Sequence, residues 1–201
     1  MRYLFPVLLL FSLNCSKKDK DGIVIDHDHA SPHDYKEKLT SVGRKTNSER
    51  AAYLFTFINY DVPRYWHGTP WSFAGTSRIP RKGSIACGYF VTNTLSDYGF
   101  ALNRTFLAQN ASSVMIKKLC TDIRYFTKRQ ELEKYILGKG KNQVYIVGLD
   151  FHTGYITREN RDTYFIHSNY IKNEGVIKEL TKNSKALNAS NTFMIGTLNY
   201  K

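Results

Sequence analysis

Residues 84–99 read SIACGYFVTNTLSDYG: a cysteine, then an apolar pattern that stops at a glycine. Phe90, Val91, Leu95 and Tyr98 lie three, four, eight and eleven positions beyond Cys87, the spacing of one helix face, and Gly99 is placed to end that helix in a left-handed cap. Cys87 therefore stands at a helix N-terminus. Unpaired backbone N–H groups and the helix dipole favour an anion there, which predicts a thiol with a lowered pKa and makes Cys87 a candidate nucleophile.

Outward from this helix, residues 51–60 (AAYLFTFINY) are apolar enough for a second packed helix, starting near Asn47 or Ser48 and ended by Asp61-Val62-Pro63. Gly68, Pro70, Gly75, Pro80 and Gly83 punctuate a loop-rich approach to Cys87. Downstream, Leu107, Ala111, Val114 and Met115 mark one helix and residues 128–137 another, stopped by Gly138 and Gly140. Strand-like runs at 143–151, 152–157 with 163–168, and 192–198 close the chain. Helices followed by antiparallel strands predict an α+β domain over residues 51–201.

The N-terminus carries a different kind of signal. Residues 3–13 (YLFPVLLLFSL) follow Arg2 and form an apolar run of about half the length that spans a bilayer as a helix. The run meets Ser12-Leu13-Asn14-Cys15 and turns abruptly polar, which resembles the bacterial lipoprotein signal with an acylated cysteine as the mature N-terminus. Residues 1–14 are then the signal peptide, and lipidated Cys15 holds the protein on a membrane outside the cytoplasm, with Ser16 favouring the outer membrane. Each buried acyl methylene contributes about 0.8 kcal/mol to such anchoring. Residues 16–50 mix eight basic with seven acidic side chains and hold one aromatic, Tyr35, so 15–50 reads as a lipidated N-terminus and flexible tether. Asp26-His27-Asp28-His29, with His33 and Asp34, carries metal-ligand chemistry but no scaffold to fix its geometry; no metal and no cofactor is expected.

The net charge is +12, from 29 Lys and Arg against 17 Asp and Glu. Outside the cytoplasm such an excess faces membranes and wall polymers, so nucleic acid is not an expected partner and a monomer is. Three cysteines without Cys-x-x-Cys pairs exclude a disulfide scaffold and a structural zinc site. Cys87 and Cys120 remain open to a single structural disulfide, which an oxidising compartment permits.

A thiol that attacks a carbonyl needs a base to take its proton and return it to the leaving group. Of six histidines, three lie in the tether and His67 in a loop, leaving His152 and His167 on strands. A hairpin centred between Glu159 and Asn160 would place these two directly opposite each other, about 5 Å apart at Cβ, so that His167 orients His152.

GTPWSFAGT at 68–76, ACGYFV at 86–91, FHTGYI at 151–156 and FIHS at 165–168 together resemble the successive motifs of the NlpC-type cysteine peptidases, papain-like bacterial cell-wall hydrolases. The resemblance spans roughly residues 65–200. It implies a cysteine helix packed on an antiparallel sheet, with Cys87 as nucleophile, His152 as base and His167 as the orienting residue, acting on peptidoglycan or another amide-containing substrate. The family's usual Asp-Cys-Ser-Gly is here Ala86-Cys87-Gly88-Tyr89, without the carboxylate that holds a free peptide amine. Trp71 replaces a tyrosine near the thiol, where its indole N–H has donor capacity for an oxyanion; Gly88 and Trp66 complete the expected cleft.

Two other functions fit the same residues. A transglutaminase-like acyl transferase orders Cys, His and Asp along the chain, with Asp162 as third member. A non-catalytic surface lipoprotein would bind an anionic ligand and merely keep the fold.

Overall fold

The computed structural model describes residues 31–200 and, before them, the backbone of two short paired strands, β1 (Lys17–Lys18) and β2 (Val24–Ile25). The expected signal peptide and Cys15 lie outside the described residues. From residue 32 the order is α1 (Pro32–Gly43), α2 (Asn47–Thr56), a π-helical turn (Phe57–Asp61), α3 (Val62–Trp66), α4 (Cys87–Tyr98), α5 (Arg104–Gln109), α6 (Ser112–Leu119), β3 (Cys120–Phe126), α7 (Arg129–Leu137), β4 (Val144–Gly148), β5 (Thr153–Glu159), β6 (Asp162–Asn169), β7 (Gly175–Leu180), α8 (Lys185–Asn188) and β8 (Phe193–Leu198). This is an α+β arrangement of helices with an antiparallel sheet. No helix among the described residues is long and apolar enough to cross a membrane.

The folded part begins near Ser31 rather than at residue 51. Ser31 and Asp34 form a reciprocal capping box, and Pro32 occupies the first helical turn, where no N–H is needed. Tyr35, the one aromatic in the expected tether, docks the helix: it is 3% exposed, its ring lies 5.1 Å from Tyr65 and 5.9 Å from Trp66, and its hydroxyl donates to Asp97 at 2.9 Å. Charge mixing alone read this stretch as solvated, but one buried face of Tyr35 and Val42 suffices to pack it.

Nor does Pro63 end the second helix. The Phe57–Asp61 turn widens, with the Val62 N–H donating to the Phe57 carbonyl, and carries the chain into α3 with Pro63 in its first turn. The helix expected around Leu107 is broken at extended Asn110 into α5 and α6.

The sheet runs in the order β3-β8-β4-β5-β6-β7, with every neighbouring pair antiparallel. Helices cover both faces. Phe90, Val91 and Leu95 of α4 pack with Ile146, Tyr155, Ile166 and Val176 on one side; Leu132 and Ile136 of α7 and Leu187 of α8 pack with Val147, Ile156, Phe165 and Ile195 on the other. Coverage on both faces explains why β4, VYIVG, is an unbroken apolar run instead of an alternating one.

The β5–β6 hairpin turns at Asn160-Arg161, with Asn160 at φ 53°, and pairs Glu159 with Asp162. The expected register is therefore slipped by two residues. An even slip leaves each side chain on its own face, so His152 and His167 meet diagonally instead of directly opposite.

Candidate active site

Cys87 is the first residue of α4, as its spacing predicts, and Gly99 caps the far end at φ 108°. Ala86 at the N-cap supplies no side-chain acceptor, so the first-turn N–H groups are not consumed by a cap. The Cys87 thiol is free and half-buried. Burial pushes its pKa up, against hydrogen bonds from the backbone N–H groups of Thr153, Gly88 and Cys87 itself, which pull it down. The lowered pKa expected from a helix N-terminus is thus overridden by desolvation.

Thr153, whose N–H reaches the sulfur, immediately follows His152. His152 Nε2 lies 2.7 Å from His167 Nδ1, and His167 Nε2 lies 3.0 Å from a carboxylate oxygen of Glu179 on β7. The cross-strand pairs His167↔Ile177 and Phe165↔Glu179 make the second contact diagonal too. Packing fixes the rings: His167 stacks on Phe165 at 3.9 Å and is fully buried, while Tyr170 meets His152 edge-on at 5.2 Å.

Burial sets the protonation of the series. It holds His152 well below the ordinary imidazole value, with the charge of His167 adding to the effect, and lowers His167 to about 3. Both rings are therefore neutral near pH 7 and each carries one N–H. An ionised carboxylate only accepts hydrogen bonds. With Glu179 ionised, His167 donates from Nε2, its Nδ1 accepts from His152 Nε2–H, and the lone pair of His152 falls on Nδ1. In its ionised form Glu179 thus sets both tautomers. Burial raises its pKa, opposed by a hydrogen bond from Ser184 and by the charge of Lys185.

Sequence reasoning missed Glu179. Nothing in GVIKEL marks Glu179 as a buried acceptor, yet it and adjacent Lys178 are both buried and point to opposite faces of β7. Lys178 belongs to a separate polar cluster with the Asn59 carbonyl and Glu159.

Cys87 and His152 open onto one cavity of about 1450 Å³, bounded by Trp71, Phe73, the 149–152 turn, Tyr170 and the α5–α6 junction. His167 and Glu179 lie behind it. Trp71 lines the cavity as expected, with its ring 6.2 Å from Tyr170. Gly88 also lines it, and a Cβ there would stand 2.5 Å from the Ala108 carbonyl oxygen of α5. A serine at this position has no room, which accounts for one departure from the Asp-Cys-Ser-Gly pattern.

Trp66 does not reach the cavity. It is 0% exposed, because α3 is wedged between α1 and α4 and packs the indole on Tyr35 and Phe90, 5.9 and 6.1 Å away. Asp162, at the turn end of β6, lies five residues from His167, roughly 16 Å along a strand, so it is not brought to the histidines. Cys120 is free, and burial pushes its thiol up to about 12. In the former tether, Asp34 is engaged in capping Ser31, and residues 26–29 lie outside the described residues.

Fold and side chains together define an α+β protein whose half-buried thiol shares one cavity with the first ring of a buried imidazole–imidazole–carboxylate series. No protein-family model, curated protein or solved structure matches the chain.

Proposed function

We propose that this protein is a cysteine hydrolase of amide bonds, a distant NlpC-type form of the papain-like fold. The observation that carries this reading is the continuous series Glu179–His167–His152, whose last ring borders the cavity that also holds the Cys87 thiol; with Glu179 ionised the lone pair of His152 falls on Nδ1.

The chemistry follows from two neutral partners. As the Cys87 sulfur attacks the amide carbonyl, His152 Nδ1 takes the thiol proton, so deprotonation accompanies attack and no resting thiolate–imidazolium pair is needed. The imidazolium that forms is stabilised through His167 by the Glu179 carboxylate, as the third group of a catalytic triad stabilises its base. The N–H groups of Cys87 and Gly88, which already reach the sulfur, are the oxyanion donors on offer. His152 passes its proton to the departing amine as the C–N bond breaks. Water, deprotonated by His152, then hydrolyses the thioester and frees Cys87.

Residues 1–15 support secretion and anchoring by lipidated Cys15, which makes peptidoglycan peptides the first substrate to try. Incubating the form lacking residues 1–21 with purified peptidoglycan should release fragments detectable by mass spectrometry, and Cys87→Ala should abolish them. An unreactive Cys87 would leave only a binding protein. The transglutaminase reading loses its third member, because His167 and not Asp162 adjoins His152.

A further inference from the structure

The walls of the cavity say what kind of molecule belongs in it. Although the chain carries 29 Lys and Arg, none of them is among the described residues that line the cavity; the charged residues that do are the carboxylates Glu131 and Asp150, His152 being neutral. Asp150 is turned to the segment before β8, accepting from the N–H groups of Asn191 and Thr192 at 2.8 and 3.1 Å. An acidic wall peptide would find no cation among the lining residues and would meet two carboxylates, with Lys128 standing 3.9 Å from Glu131 and Arg104 over the Tyr89 ring only behind that lining, an arrangement that disfavours anions.

The rim is aromatic. Phe73 and Phe151, on opposite sides of the thiol in the sequence, both border the cavity and are 88% and 97% exposed. Exposed aromatic rings gathered at one opening are unusual on a monomer and mark a surface that an apolar ligand covers. Trp71, Leu149, Tyr170 and Met194 continue that surface inward. At about 1450 Å³ the space exceeds the roughly 300–1,000 Å³ of ordinary small-molecule sites, so it has room for an extended chain.

We propose that this cleft binds the apolar chain of an uncharged amphiphile, a long-chain N-acyl amide, with the amide carbonyl at Cys87 and the chain running between Phe73, Phe151 and Trp71. The inference deepens the amide-hydrolase reading and rests on it for the position of the carbonyl. With such a substrate the Cys87 sulfur forms a thioester to the fatty acyl group. The C–N bond breaks, the amine leaves with the proton from His152, and water releases the fatty acid.

The test separates binding from turnover. Of the two tryptophans only Trp71 lines the cavity, so indole fluorescence reports occupancy. A Cys87→Ala form lacking residues 1–21 is titrated with monomeric N-dodecanoylglycinamide and, separately, with an acidic wall tetrapeptide. The expected result is saturable binding of the acyl amide, at least about tenfold tighter than the peptide, and weakened by about tenfold or more in Phe73→Ser/Phe151→Ser. Both rings are outside the core, and circular dichroism checks that the double variant is folded. Equal or tighter binding of the acidic peptide, or indifference to the double substitution, would overturn the proposal. In parallel, the Cys87-bearing protein is assayed for dodecanoic acid. Binding without release upholds the cleft assignment and overturns the hydrolase reading; release from the acidic peptide alone does the reverse.

Discussion

Cys87 and Cys120 occupy opposite ends of two helices, Cys87 opening α4 and Cys120 closing α6. Both thiols are free and half-buried, and burial raises the pKa of both, that of Cys120 to about 12. What differs is company. Three backbone N–H groups surround the Cys87 sulfur, which shares a cavity with His152. Cys120 receives one, from Ile146, and its Cβ lies 2.5 Å from where a Cβ on Gly196 would stand. Position at a helix end and depth do not make a nucleophile; the groups aimed at the sulfur do.

The largest expected effect is on this contrast. His152→Ala should slow alkylation of Cys87 by iodoacetamide at neutral pH on the order of 10²-fold or more while leaving Cys120 as slow as before, read by peptide-resolved mass spectrometry. Because the Cys87 thiol and His152 are both neutral at rest, the Cys87 rate should keep climbing as pH rises through 9, without the flat acid-to-neutral plateau of an ion pair.

A smaller loss, about 10–100-fold, is expected for Glu179→Leu, which removes the acceptor that fixes both tautomers. Glu179→Gln should recover part of it, since an amide oxygen can still accept from His167 Nε2. Nitrogen-15 shifts of His152 should show the proton on Nε2 in the native protein and a mixture in Glu179→Leu; an unchanged tautomer would remove Glu179 from the mechanism.

Acid should also weaken the fold through these rings. His167 titrates at 6.5 when unfolded but near 3 when folded, so the unfolded state binds the extra proton between those values. Stability is then complete above pH 6.5 and falls as pH drops toward 3, by up to about 1.4 kcal/mol per pH unit for each buried histidine. Glu179 works in the opposite sense, since its raised folded value favours the native state at low pH and that contribution fades as pH rises through it. Urea midpoints across this range should flatten in His167→Asn.

Smaller still is Gly88→Ser. The added side chain meets the Ala108 carbonyl and should cost about 1–3 kcal/mol in urea denaturation. Cys120→Ala should leave Cys87 labelling unchanged.

The contrast also explains what the sequence made legible. The α4 helix, its glycine stop, the Cys87 position and the two strand histidines follow from local periodicity and residue type, which survive folding intact. The histidine pairing was reachable although the assumed register was two residues off, because an even slip preserves faces. Long-range facts were hidden. Trp66 sits before a loop and reads as cleft-lining, yet α1, arriving from the supposed tether, encloses it. Strand β7 carries Lys178 and Glu179, and nothing in GVIKEL says that a buried imidazole waits across the sheet for one of them. The net charge says nothing of where it is absent, and the cavity walls are where that matters.

The central claim is that Cys87 is a nucleophile because His152, held by His167 and Glu179, is its base. The most direct test is the ratio of Cys87 to Cys120 alkylation rates at pH 7.5 in the native protein and in His152→Ala. The account predicts a ratio of about 100 or more that collapses toward unity in the variant. Equal rates in the native protein, or a ratio that survives loss of His152, would contradict it.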